Sequence, residues 1–313
     1  MDIPAAYLDR IHAILPTLVI TSMHFNQDGM MNDVVIVNDQ LIARFPKDGH
    51  AKESLSRESR ILELVGARVG MPVPHFEYQA QDAVIYRVLA GEPLTRETLL
   101  RQDEAMQDRL AEQLAIFLSQ LHAIPRELVE QHDIGMSEAE RSLEDWSAMF
   151  AEIQRELFPF LWAHQKSWVR QIFTPVLDGQ IVLRHQPVLI HGDLGVYHIL
   201  YNPIQERING IIDFGTSGLG DPACDFACII QSLGESFLQR MAQFSDAITP
   251  ALDRARFRAG VLELEWALHG IRNNDASCWL AHIGGARDVM PLGKAWRTPH
   301  SDSQSKGIWL FIH

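Results

Sequence analysis

Forty residues, Val188 to Ala227, constrain this chain more than any other stretch: VLIHGDLGVYHILYNPIQERINGIIDFGTSGLGDPACDFA. A short apolar run (Val188–Ile190) ends in His191-Gly192-Asp193. A second run (His198–Tyr201), a turn at Asn202-Pro203 and a third run (Ile208–Ile212) lead into Asp213-Phe214-Gly215. Apolar and β-branched residues broken by turn-formers read as short strands. Two carboxylates, Asp193 and Asp213, are therefore expected at the ends of neighbouring strands. His198 follows Asp193 by five residues, close enough for a tight loop to turn it back to the same place. A hard divalent cation takes carboxylate oxygens, and phosphoryl transfer to a hydroxyl needs a separate carboxylate for the departing proton. One such triplet arises by chance, and an Asp at a strand end often only caps a turn. Both triplets together, with a possible ligand between them, mark a catalytic segment.

The rest of the chain divides by periodicity. Residues 4–15 read as a helix, and 17–24, 33–38 and 40–45 as strands, the last two joined through Asn38-Asp39 as a hairpin. Residues 51–68 carry Leu55, Ile61, Leu62 and Val65 at helical spacing. Strands at 75–79 and 83–89 complete an antiparallel sheet with one long helix inserted after its third strand. Gly91-Glu92-Pro93 then breaks the pattern, so residues 1–90 are expected to form one lobe and 91–313 another. Beyond the break, helices are expected over 95–123, 137–164, 166–180, about 222–233, 235–247 and 253–272, with an irregular tail from about 284.

Composition narrows the class of partner. The 313 residues hold 40 acidic and 27 basic side chains, a net charge of −13, which disfavours nucleic acid. Three cysteines make no disulfide framework and suit a reducing compartment. Neither a signal peptide nor a membrane span is expected, so the anticipated location is cytoplasmic. The acidity is uneven: residues 101–160 contain 13 acidic residues and 5 arginines, 5 − 13 = −8. That run is either a solvated helical face or a surface that attracts a cationic ligand.

HGDLGVYHIL followed by IIDFGTSGLGDPACDFA resembles the catalytic segment of the aminoglycoside and macrolide phosphotransferases, families similar in fold to protein kinases. The resemblance implies an α+β, bilobal kinase-like fold. Asp193 would be the catalytic base and Asp213 the main metal ligand. His198 stands where most of the superfamily has Asn as second metal ligand; a His there looks like the 2''-phosphotransferases and the macrolide kinases. Asp225 would bond the catalytic loop, and Asp221, before Pro222, would cap a helix. Cys224 and Cys228 read as core, and His122 as a packing or capping residue. QLIARFPK resembles the third strand of the family with Arg44 in place of the usual phosphate-binding Lys, and Glu58 matches its carboxylate partner. The loop FNQDGMMND lacks both G-x-G-x-x-G and a Walker sequence, and offers only Gly29 for backbone approach to phosphates. AVIYRVL would be the nucleotide-base edge, with hinge backbone at Val88–Ala90. Tyr86 would stand at the back of the base pocket, a placement that tends to go with GTP.

In the resembling families the region of the last long helix lines the acceptor pocket, here through Glu263, Trp266 and His269; an amphipathic core helix with a polar face explains them equally well. The activity implied is transfer of the γ-phosphoryl of GTP or ATP, with Mg2+, to a hydroxyl of an antibiotic. A cationic aminoglycoside comes first, then a macrolide or a metabolic alcohol, in a monomer or weak dimer. Two rivals stand beside this: a nucleotide-binding pseudokinase, and a metal-dependent phosphoesterase, which the scarcity of further His and Asp ligands disfavours.

Overall fold

The computed structural model describes residues 5–26, 31–80, 82–275 and 278. Helix α1 (Ala5–Ile14) leads into strands β1 (Met23–Asn26), β2 (Asn32–Val37) and β3 (Leu41–Pro46). Helix α2 (Gly49–Gly66) follows, then β4 (Phe76–Ala80) and β5 (Ala83–Arg87). The five strands form one sheet in the order β1-β2-β3-β5-β4, each neighbour antiparallel. At the β2–β3 turn both Asn38 and Asp39 have φ of 54°, the left-handed backbone that a type I′ hairpin turn needs and that Asn and Asp tolerate.

Alternation sorts the side chains of this sheet onto two faces. One face buries Val35, Val37, Ala43, Phe45 and Ile85 against Ile11 of α1. The other brings Val84 and Tyr86 against Leu55 of α2. The strand expected over 17–24 is displaced to Met23–Asn26. The cause is local: the Asn38 side chain accepts from the N–H groups of Thr21 (2.7 Å) and Ser22 (3.1 Å) and donates to the Val19 carbonyl (2.8 Å). These groups would otherwise serve a sheet ladder. Helix α2 begins two residues before its expected start because Asp48 caps it, accepting from the Ala51 N–H at 2.8 Å.

After Gly91 the chain pairs Glu92–Pro93 (β6), which was not anticipated, and then forms α3 (Arg96–Leu100) and α4 (Glu104–His122). The single helix expected at 95–123 is two, because Asp103 caps a new one by accepting from the Met106 N–H at 2.7 Å. Next come α5 (Arg126–Gln131), α6 (Leu143–Glu152) and α7 (Ala163–Leu177). The helix expected from 137 starts only at Leu143, where Ser142 and Asp145 form a capping box. It ends in a π turn and a 3-10 turn that reaches Phe160 through Pro159.

The central β-rich patch supplies β7 (Val188–Ile190), β8 (Ile199–Asn202), β9 (Arg207–Ile211) and β10 (Gly218–Gly220). They arrange as β6-β8-β9 and as β10-β7, again antiparallel. Helices α8 (Ala223–Leu233), α9 (Glu235–Met241) and α10 (Ile248–Arg272) complete the described elements.

Two compact units result. One comprises the chain up to Glu140 together with Gln186–Thr249; the other comprises Arg141–His185 and the chain from Pro250 on. The second is helical, with Trp146, Ile153, Leu157, Phe173, Phe257 and Leu264 in its core. No helix among the described residues is long and apolar enough to cross a membrane.

Candidate active site

The catalytic segment is held from beneath by one buried carboxylate. Asp225, on the first turn of α8, accepts from the backbone N–H of His191 (3.1 Å) and of Gly192 (2.8 Å) and from His122 Nε2 at 2.9 Å. Burial alone would raise its pKa, but these donors outweigh that and hold the carboxyl below its usual range. The expectation that Asp225 bonds the loop thus holds. His122, expected to pack or cap, also carries the Asp225 carboxylate. Asp221 caps α8 from just outside it, accepting from the Ala223 N–H at 3.0 Å. Cys224 and Cys228 are buried free thiols.

His191 is completely buried, and burial depresses its pKa, so the ring is neutral. Its Nε2 lies 3.1 Å from the Ile212 carbonyl, which can only accept, and its Nδ1 takes the Asp193 N–H at 3.3 Å. One tautomer satisfies both contacts. The His191 carbonyl accepts the hydroxyls of Thr216 (3.1 Å) and Ser217 (2.9 Å). Gly192 between them has φ of 85°, and a Cβ there would stand 2.9 Å from Ser137 Oγ and 3.0 Å from the Thr216 carbonyl. Only glycine fits this position.

Asp193 and Asp213 emerge from this frame with side chains about half exposed, at 56% and 53%. His198 stands between them. Its Nδ1 donates to the Asp193 carbonyl at 2.6 Å, which leaves the Nε2 lone pair facing Asp213 Oδ2 at 3.5 Å. Asp213 itself has φ of 67°, a left-handed backbone that costs energy outside glycine and recurs at functional sites. The donor set of one carboxylate oxygen and one imidazole nitrogen suits a divalent cation, with the carboxylate the better ligand for a hard ion. Among the described residues no group of three or more His, Cys, Asp and Glu could hold a metal.

The second cluster lies on the sheet. Arg44 of β3 meets both carboxylate oxygens of Glu58 on α2 at 2.9 Å. Glu58 is buried on the otherwise apolar face of its helix, and also accepts from the Phe214 backbone N–H. Burial pushes the carboxyl up while Arg44 pulls it back. Arg44 remains charged: burial opposes the charge, but Glu58, Tyr86 and Asp213 together more than offset it. Tyr86 bonds Arg44 too, and burial lifts its phenol to about 12. So Tyr86, expected at the back of a base pocket, braces the guanidinium from the strand beside it.

Other expected residues fare differently. The Val88 N–H is already given to the Gln40 carbonyl at 2.9 Å, and the Ala90 carbonyl accepts from Asn209 Nδ2 at 2.6 Å. Gly29 lies outside the described residues. Glu263, Trp266 and His269 stand on α10 in the second unit, with the Trp266 and His269 rings edge-on at 5.7 Å and Trp266 exposed. Between them Glu265, which sequence reasoning passed over, is raised by burial against the pull of Arg141 and Arg258. Of the 13 acidic residues at 101–160, nine are engaged. Asp103 and Asp145 cap helices, Asp108, Glu130, Asp133, Glu138, Glu152 and Glu156 pair with arginines, and Glu140 accepts the Asp221 N–H. Four arginines from outside the stretch, Arg57, Arg60, Arg240 and Arg272, thus offset half of its excess of eight.

A carboxylate and an imidazole-carboxylate pair at strand ends, with a buried Arg–Glu pair on an adjoining antiparallel sheet, define a phosphotransferase of the kinase-like fold. Comparison with known proteins agrees. A model of the phosphotransferase enzyme family matches residues 23–264, and the chain belongs to that family. It is 25% identical over 287 residues to viomycin phosphotransferase of Streptomyces vinaceus, covering 88% of this chain and 96% of that protein. Among solved structures it is similar to the GDP and kanamycin complex of APH(2'')-IIIa, with a TM-score of 0.78 and 24% identity over 89% of this chain and 96% of the other. A macrolide 2'-phosphotransferase of type I follows, at a TM-score of 0.69 and 20% identity, covering 93% of this chain and all of that one.

Proposed function

We propose that this enzyme transfers the γ-phosphoryl group of GTP or ATP to a hydroxyl of an antibiotic, first of all an aminoglycoside. The observation that carries the reading is the convergence of Asp193, His198 and Asp213 beside the Arg44–Glu58 pair. Residues 1–90 serve the nucleotide and the remainder serves catalysis and the acceptor. Asp193, open to solvent and 3.7 Å from His198 Nδ1, accepts the proton of the acceptor hydroxyl. The acceptor oxygen bonds phosphorus as the bond to the β-phosphate oxygen breaks, and the nucleoside diphosphate leaves. Arg44, oriented by Glu58 and Tyr86, donates N–H groups to the phosphate oxygens. Asp213 and His198 Nε2 would hold the divalent cation, Mg2+ in this reading, which would neutralise phosphate charge.

Kinship with viomycin phosphotransferase and the likeness to a kanamycin-complexed structure support an antibiotic acceptor. The GDP in that complex supports GTP as donor. The internal pairing of the acidic stretch removes much of the charge argument for a cationic acceptor, so the ranking of aminoglycosides rests mainly on these likenesses. A macrolide acceptor is the second reading, favoured by the type I enzyme. The test is consumption of labelled GTP and ATP with a panel of aminoglycosides, viomycin and macrolides. Phosphorylation confined to a compound outside the panel would replace the acceptor assignment. Nucleotide binding without transfer to any hydroxyl would favour the pseudokinase.

A further inference from the structure

Next to Glu58 on α2 stands Arg57, and its side chain reaches in the opposite direction along the same loop. Its Nε donates to the Ile134 carbonyl at 2.8 Å. Nη1 donates to the Gly215 carbonyl at 3.3 Å, and Nη2 donates to the carbonyls of Met136 (2.8 Å) and Ser217. Glu138 supplies a carboxylate at 3.7 Å. Every nitrogen of the guanidinium is thus used, on two segments far apart in sequence. One, 134–136, precedes α6; the other, 215–217, follows Asp213. A lysine presents three donors from a single nitrogen and cannot span both segments.

The backbone is shaped to admit this side chain. A Cβ at Gly218 would fall 2.5 Å from the Ser137 N, 2.6 Å from the Met136 carbonyl carbon and 2.7 Å from Arg57 Nη2. Glycine at 218 therefore lets the strand approach the segment that Arg57 grips. Meanwhile Glu58, one residue on, accepts from the Phe214 N–H. The loop that begins at Asp213 is held through a donor at 214 and through acceptors at 215 and 217, by neighbouring residues of one helix. Arg60, a turn later, adds bonds to the carbonyls of His132 and Asp133, both at 3.0 Å.

We propose that Arg57 is a positioning residue that ties α2 to the segment after Asp213, so that Glu58, Arg44 and Asp213 keep one fixed frame. The fork of Arg57 fixes α2 against this segment, so Glu58 stays against Arg44 whether or not nucleotide is bound. The proposal rests on the phosphotransfer reading for its effect on nucleotide, but not for the tie itself.

Arg57→Lys in the full chain keeps the charge and loses the fork. Hydrogen exchange of a peptide spanning 213–219 should quicken by about tenfold or more, the factor expected for loss of a hydrogen bond to a charged group, while α8 exchanges as before. Affinity for Mg·GTP or Mg·ATP, measured by calorimetry, should fall by about fivefold or more. Combining Arg57→Lys with Glu58→Gln should add little to the loss caused by Glu58→Gln alone, because both act through one frame. Should the lysine variant not fold, Arg57→Gln, which keeps an N–H donor, takes its place.

Unchanged exchange at 213–219, or equal acceleration in α8, overturns the proposal. So do wild-type nucleotide affinity in the variant and fully additive losses in the double variant. Should the wild type bind neither nucleotide, the functional reading falls, while the exchange comparison still decides whether Arg57 ties the two segments.

Discussion

Replacing Asp225 with Asn isolates the contribution of the buried carboxylate beneath the catalytic loop. The carboxylate accepts three bonds, from the N–H groups of His191 and Gly192 and from His122 Nε2. An amide of the same shape has one oxygen. It can keep the bonds to one side, but must turn an NH2 group toward a donor on the other. A hydrogen bond to a charged group contributes about 1.5–3 kcal/mol, and a buried donor left without its acceptor costs about 1–3 kcal/mol more. Loss of one such bond with one orphaned donor puts Asp225→Asn at about 3 kcal/mol of destabilisation. At about 2–4 °C per kcal/mol for a unit of this size, Tm should drop by ~6–12 °C near neutral pH.

The pH dependence has a definite sign. The folded carboxyl titrates below the unfolded value of about 3.9, so its stabilisation is complete above that value and is lost as pH falls through the lower, folded one. The gap between wild type and Asp225→Asn should therefore be constant from about pH 7 to pH 5 and should close in strong acid. Thermal denaturation of both proteins across this range is the assay. A difference below about 1 kcal/mol at neutral pH, or a gap that widens on acidification, would refute the argument.

Asp193→Asn should bind nucleotide normally and lose about 10²–10⁴-fold in turnover on a confirmed acceptor, the usual worth of a general base; near-normal kcat would remove Asp193 from that role. Asp213→Ala should abolish the metal-dependent part of nucleotide binding in calorimetry. His198→Asn should retain much of it, because an amide can donate to the Asp193 carbonyl and still present an oxygen toward Asp213; the reverse ranking would move the metal role to the imidazole. Gly192→Ala should destabilise the chain by about 1–3 kcal/mol through its positive φ and the crowding at Ser137 and Thr216, and urea denaturation will show whether the loop yields instead.

Local chemistry was the legible part of this molecule. The hairpin at Asn38-Asp39, the long helix after the third strand and the carboxylates at strand ends follow from periodicity and turn residues, and all are found in the structure. Arg44 and Glu58 were paired only by resemblance, since a charge on the buried face of α2 has no signature of its own in periodicity. Where the reading failed, polar side chains had redirected the backbone. Asn38 took the donors of a supposed strand, and Asp103 and Ser142 started helices inside or beyond supposed longer ones. His122 and Asp225 are 103 residues apart, and nothing local joins them. Arg57 was invisible for a different reason. Its partners are mainly backbone carbonyls, which every residue has, so no pattern of side chains announces them.

All the residues given chemical work here, from Arg44 to Asp225, lie in the first unit, which the chain leaves after Glu140 and re-enters at Gln186. The point of departure is pinned by Glu140 on the Asp221 N–H at 2.9 Å. Along the chain, residues 141–185 are an excursion that belongs to the second unit, where their side chains share a core with α10. Exposed positions of that stretch can therefore be rewritten, provided the core it shares with α10 is kept, while the reacting groups stay in their own unit. Sequence change in one unit is thereby separated along the chain from the groups placed in the other.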